Sequence, residues 1–124
     1  MKYKEMNKML VLYFPNLKQL IKSEMDTFEC YRPGPHVLYG NILNPYVKMI
    51  LEHEDDQAAL QQIFSFYEEL AISEDEEVRN LLQVTLLEAL WDEKKTYTKA
   101  CKYMQPMTKR INSMIYDYLS EPLE

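Results

Sequence analysis

The chain holds only two glycines, Gly34 and Gly40, and both fall inside one stretch, CYRPGPHVLYG, at residues 30–40. An antiparallel β-domain needs a turn signal roughly every 8–12 residues, and many of its tight turns depend on the positive φ that glycine adopts without strain. With so few glycines, and with apolar/polar alternation nowhere sustained, a β-architecture is excluded. The HVLYG segment is too short to build a sheet alone. The sequence predicts an all-α fold, a bundle of about six to seven helices.

The apolar spacing divides that bundle into elements. Tyr3, Met6, Leu10, Tyr13 and Phe14 recur at helical intervals until Pro15 interrupts, and a second helix through Leu17, Leu20, Ile21, Glu24 and Phe28, its stripe broken only by Glu24, restarts there, because proline is tolerated in a first turn. Asn44 followed by Pro45 reads as the cap and first turn of a third helix ending near His53. A fourth begins at Asp55 or Asp56 and carries Leu60, Ile63, Phe64, Tyr67 and Ala71 on one face.

Ser73 with Glu76 three residues later matches a capping box and opens a helix over about 74–91. Val78, Leu81, Leu82, Thr85, Leu86 and Ala89 form one stripe of that helix, and Val84, Leu87 and Trp91 a second on roughly the opposite side. A helix apolar on both sides is central. Two shorter helices follow, one through Tyr97, Ala100, Cys101 and Met104, the other beyond Pro106 through Met107, Ile111, Met114, Ile115, Tyr118 and Leu119. The short connections after residue 55 predict antiparallel hairpins stacked around the 74–91 helix. The stretch EDEEVRNLLQVTLLEAL is similar to the second helix of a HEAT-type hairpin.

At 124 residues and 47% hydrophobic content the chain is long enough to bury one core, so residues 1–124 are expected to form a single helical domain. The absence of a long apolar run and the lysines through the first twenty residues predict a cytoplasmic protein without a membrane span or signal peptide. Cys30 and Cys101 belong to no CxxC or Cys/His cluster and read as structural thiols.

Charge carries the strongest functional signal. From Met49 to Val78 there are ten acidic residues and no lysine or arginine, whereas the remainder holds fourteen basic against ten acidic residues. The net charge of -6 is therefore concentrated in one segment. Folded as a hairpin, the fourth and fifth helices gather Glu68, Glu69, Glu74, Asp75, Glu76 and Glu77 at one end, with Phe66 expected as an exposed aromatic beside them. Such a field steers a basic protein partner and repels phosphate backbones, which disfavours nucleic acid despite Lys94, Lys95, Lys99, Lys102, Lys109 and Arg110 near the C-terminus.

Catalytic patterns are scarce. Any histidine chemistry must use His36 or His53. His53, at a helix C-terminus among acids, reads as a solvated cap. His36 lies in a proline-stiffened loop near Cys30, yet no Asn or Asp is identifiable to orient a thiolate pair, so the loop reads first as a hinge, with Tyr31, Val37, Leu38 and Tyr39 filling a gap between helices. Glu52, His53 and Asp56 lack HExxH or EF-hand spacing, and no metal is expected. P-loop, GxGxxG and GxSxG patterns are absent, so neither a cofactor nor a catalytic residue is assigned.

PHVLYGNILNPYV, EDEEVRNLLQVTLLEALWDE and CKYMQPMT together resemble a family of small all-helical bacterial proteins without an assigned activity, itself similar in size and acidity to the immunity proteins of toxin systems. The resemblance implies a non-enzymatic inhibitor that blocks a basic partner such as a toxin, and supplies no catalytic residues. Two alternatives stay open at this point: a small hydrolase or regulatory enzyme using His36 with Cys30 or a carboxylate, and an oligomeric helical scaffold.

Overall fold

The computed structural model describes residues 1–27 and 32–120, with side chains as far as Ile115. Among these residues seven continuous helices and no strand are present. Helix α1 is a 3-10 turn, Tyr3–Glu5, running into Met6–Tyr13, and α2 is Pro15–Leu17 running into Lys18–Thr27. Helix α3 joins Pro35–Leu38, a π-helical stretch Tyr39–Leu43, and Asn44–His53. Helix α4 is Gln57–Ala71. Helix α5 joins Glu76–Asn80, a second π stretch Leu81–Leu87, and Glu88–Leu90. Helices α6, Lys94–Tyr103, and α7, Pro106–Ser120, complete the bundle.

Two expected boundaries move. The third helix starts at Pro35 instead of Asn44, with Gly34 as its N-cap, so His36 and Val37 occupy a helical first turn and not a loop. Pro45 does not begin a helix; it sits inside one. Lacking an N–H, and with its ring crowding the carbonyl four residues back, proline is costly in a regular α-helix interior. Here the wider π turn precedes it, and Asn44 N–H bonds to the Tyr39 carbonyl five residues back.

Helix α5 likewise starts two residues later than the capping box implies. Asp75 is its N-cap, accepting from Glu77 N–H at 3.0 Å, while Ser73 Oγ accepts from Asp75 N–H and donates to the Met1 carbonyl. The carboxylate has displaced the hydroxyl as the cap.

One core cluster runs from Met6 to Ile115. Helix α5 contributes Val78, Leu81, Leu82, Leu86, Leu87 and Leu90 to it, as expected of a central helix. Its second stripe is only partly buried. Val84 is 46% exposed, because the π turns of 81–87 shift the side-chain register relative to an ideal α-helix.

Tyr39 anchors the first π stretch. It is fully buried, and its hydroxyl donates to the Met6 carbonyl at 2.6 Å, tying α3 to α1. Burial pushes its phenol well above the ordinary range. Tyr67 on α4 is equally buried, but its hydroxyl has no hydrogen-bond partner among the described residues. Cys30, Tyr31 and Phe28 lie outside the described residues, as do the side chains of Tyr118 and Leu119.

Candidate functional site

The acidic segment is sorted by the fold into carboxylates that hold the structure and carboxylates that face solvent. Glu54, the one non-glycine residue with positive φ (49°) among the described residues, terminates α3. Its carboxylate accepts from Tyr103 Oη at 2.6 Å and from Lys102 Nζ at 3.1 Å, and Lys99 Nζ stands 3.8 Å away. These partners, the Tyr103 hydroxyl first, lower its pKa. Asp56 caps α4 by accepting from Ala59 N–H.

Glu68 and Asp75, both expected on the binding surface, are likewise occupied. Glu68 accepts from the backbone N–H groups of Met107 and Thr108 at 3.0 and 2.9 Å and from the Thr108 hydroxyl at 2.9 Å. It therefore caps α7, satisfying orphan donors that the helix cannot satisfy itself. Asp75, besides capping α5, accepts from Tyr3 N–H at 2.8 Å, and that bond leads the causes that lower its pKa.

Glu69, Glu74, Glu76 and Glu77 remain exposed. Glu69 and Glu74 line a groove of ≈ 690 Å³ at the α4–α5 turn, together with Tyr13, Ile72, Met1 and one cation, Lys2. The next residues, Glu76 and Glu77, line a recess of ≈ 410 Å³ with Arg79, Asn80 and Gln83. The Glu69 carboxylate, a hydrogen-bond acceptor for Tyr13, raises the Tyr13 phenol above its ordinary pKa.

Phe66 does not belong to this surface. It is 2% exposed, wedged against Tyr13 at 4.8 Å, Phe14 at 5.3 Å and Tyr39 at 6.3 Å between ring centroids. Its position in α4 falls on the buried face, one step before Tyr67 and four before Leu70. The apolar surface is instead supplied by Ile72, 62% exposed, and by the half-buried ring of Tyr13. Sequence reasoning missed both. The available signal was an isoleucine one position past the end of the α4 stripe, where helical periodicity gives it no core to enter.

His36 is held elsewhere. Its Nδ1 lies 2.5 Å from the Thr85 hydroxyl, and Tyr3 packs 6.1 Å from its ring. Asn44 Nδ2 donates to the Thr85 carbonyl at 2.9 Å, so the two π stretches cross at Thr85. This joins an imidazole to a hydroxyl, but no carboxylate among the described residues bonds to His36 to orient it, as a hydrolytic triad requires. The Cys30 partner lies outside the described residues. His53 is exposed at the end of α3.

Among the described residues no three His, Cys, Asp or Glu side chains converge as metal ligands would, and no helix is long and apolar enough to cross a membrane. The basic residues are also divided: Lys99 and Lys102 are tied to Glu54, while Lys94, Lys95, Lys109 and Arg110 stay exposed.

No curated protein and no solved structure matches the chain. One family profile does, over residues 7–118, which takes in all seven helices except the leading turn of α1 and the last residues of α7. The chain thus belongs to the family described as a domain of unknown function, DUF7674.

Proposed function

We propose that this chain is a non-enzymatic protein-binding module that captures a basic protein on the acidic groove at the α4–α5 turn, in the manner of an immunity or inhibitor protein blocking a toxin. The reading is supported by one observation above the others. Glu69 and Glu74 flank Ile72, a large aliphatic side chain left 62% exposed in the same groove. Glu69 lies in the last turn of α4, where the helix dipole does not favour an acid, and acids that serve solubility alone have no need of an exposed aliphatic between them. An exposed aliphatic anchor beside carboxylates that outnumber the one lysine of the groove, Lys2, is an arrangement that pairs desolvation with steering.

Glu76 and Glu77 extend the negative field along the first turn of α5. Blocking would be steric, with long-range charge setting the encounter rate.

The test is capture followed by mapping. The full chain is used to retrieve a basic protein from cells that make both, and amide shifts are then followed as that protein is added. The reading expects the largest perturbations at Tyr13, Glu69, Ile72 and Glu74, and loss of capture when Ile72 is changed to Asp. Perturbations confined to other faces, or capture unaffected by Ile72→Asp, would contradict it. The enzyme alternative keeps one structural point in its favour, the contact between His36 and Thr85. It requires a substrate whose turnover His36→Ala removes.

A further inference from the structure

A second recess lies on a different part of the molecule, between α3 and the junction of α5 with α6, with a volume of ≈ 340 Å³. That volume falls within the range of about 300–1,000 Å³ typical of small-molecule sites. It is kept open by what its walls lack. Gly40, in the π stretch of α3, and Ala89, near the end of α5, present almost no side chain. Val47 and Leu90, 1% and 5% exposed, supply an apolar lining.

Besides the Lys48 ammonium, the polar side chains at this recess offer hydrogen-bond acceptors. Asn44 commits its Nδ2 to the Thr85 carbonyl, leaving Oδ1 without a partner among the described residues. Thr96 brings a hydroxyl on a residue 7% exposed. At the rim Lys48 pairs with Glu93 at 3.3 Å, and the Asp92 carboxylate has no ion-pair partner among the described residues.

We infer that this recess binds a small primary ammonium with a short apolar body, a free alkylamine. Its N–H donors match Asn44 Oδ1, Thr96 and Asp92, and its hydrocarbon chain matches Val47 and Leu90. An anionic ligand would meet Asp92 unpaired, and a purely apolar one would leave the acceptors unsatisfied. The inference does not rest on the acidic groove, whose lining shares no residue with this recess.

The test is a methyl and amide NMR titration of the full chain with n-pentylamine at pH 7, with n-pentanol as the uncharged analogue of similar size. Saturable shifts are expected at Val47, Leu90 and Thr96, with Ile72 unmoved, and pentanol should bind at least about tenfold more weakly, the scale of one charge-assisted hydrogen bond. Asp92→Asn should cost pentylamine about tenfold while leaving pentanol unchanged. Ala89→Leu should abolish both. Should that variant fail to fold, Gly40→Ala serves the same purpose: the new Cβ would sit 3.7 Å from Thr85 Cγ2, an ordinary contact, and should weaken pentylamine several-fold. Equal binding of amine and alcohol, unsaturable shifts spread over the surface, or Asp92→Asn without effect would each overturn the assignment.

Discussion

The Phe66 ring packs 4.8 Å from the ring of Tyr13, one residue inside the core and the other lining the acidic groove. Phe66 therefore acts on the groove from beneath, as the support for a groove wall. Phe66→Ala should destabilise the protein by about 3–5 kcal/mol through the lost burial and the cavity it leaves. Ile72→Ala should change stability by less than about 0.5 kcal/mol, as for an exposed site, yet weaken partner binding. Urea denaturation of the two variants checks the contrast, and similar costs for both would contradict it.

Adjacent glutamates in α4 should respond in opposite ways. Glu68 accepts two backbone N–H groups and a hydroxyl at the start of α7, so Glu68→Ala should cost about 1–2 kcal/mol, the usual scale of a lost helix cap. Glu69 faces solvent, and Glu69→Ala should leave the thermal midpoint near that of the parent while weakening partner binding. Calorimetric scans of both variants decide it.

Tyr67 carries a buried hydroxyl with no partner among the described residues, and burial pushes its phenol well above the ordinary range. An unsatisfied buried polar group costs about 1–3 kcal/mol. Tyr67→Phe, which removes only that oxygen, should therefore raise stability or leave it unchanged. The matching change at Tyr39, whose hydroxyl bonds to the Met6 carbonyl, should lower stability by about 1 kcal/mol. Urea denaturation of both variants checks this, and a larger loss for Tyr67→Phe than for Tyr39→Phe would contradict it.

Acid should loosen the fold through two carboxylates. Asp75, held down chiefly by the Tyr3 N–H, and Glu54, held down chiefly by the Tyr103 hydroxyl, both titrate below their ordinary values in the folded state. Groups with lowered folded pKa contribute stability that is complete above the unfolded pKa of about 4 and drains away as pH falls through the folded value. The stability gap between the parent and Asp75→Ala or Glu54→Gln should accordingly be widest at neutral pH and close as pH falls below that value. Urea midpoints across this range read the gap directly, and a gap independent of pH would rule the coupling out.

Much of the architecture was legible because helical periodicity is written in many residues at once. Leu60, Ile63, Phe64, Tyr67 and Ala71 each repeat the same message, and α4 follows. The π stretches were not legible. Pro45 read locally as a helix start, and only the widened turn that shelters it, packed against Thr85, lets one helix run from Pro35 to His53. The charge segment was visible as composition, but its division into capping and free carboxylates depends on which helix ends meet them. Glu68 caps a helix almost forty residues downstream. No local pattern encodes such a pairing, and the same holds for Phe66, whose burial is decided by Phe14 and Tyr39.

The proposal that four exposed glutamates recruit a basic partner is tested most directly by the ionic-strength dependence of the association rate. Stopped-flow mixing of the full chain with the captured protein should show a rate that falls steeply as salt rises from about 10 mM to about 150 mM, where the screening length contracts from roughly 30 to 8 Å. With Glu69, Glu74, Glu76 and Glu77 all changed to Lys, the slope should vanish or reverse in sign and the affinity should collapse. An unchanged rate, slope and affinity in that variant would contradict the account.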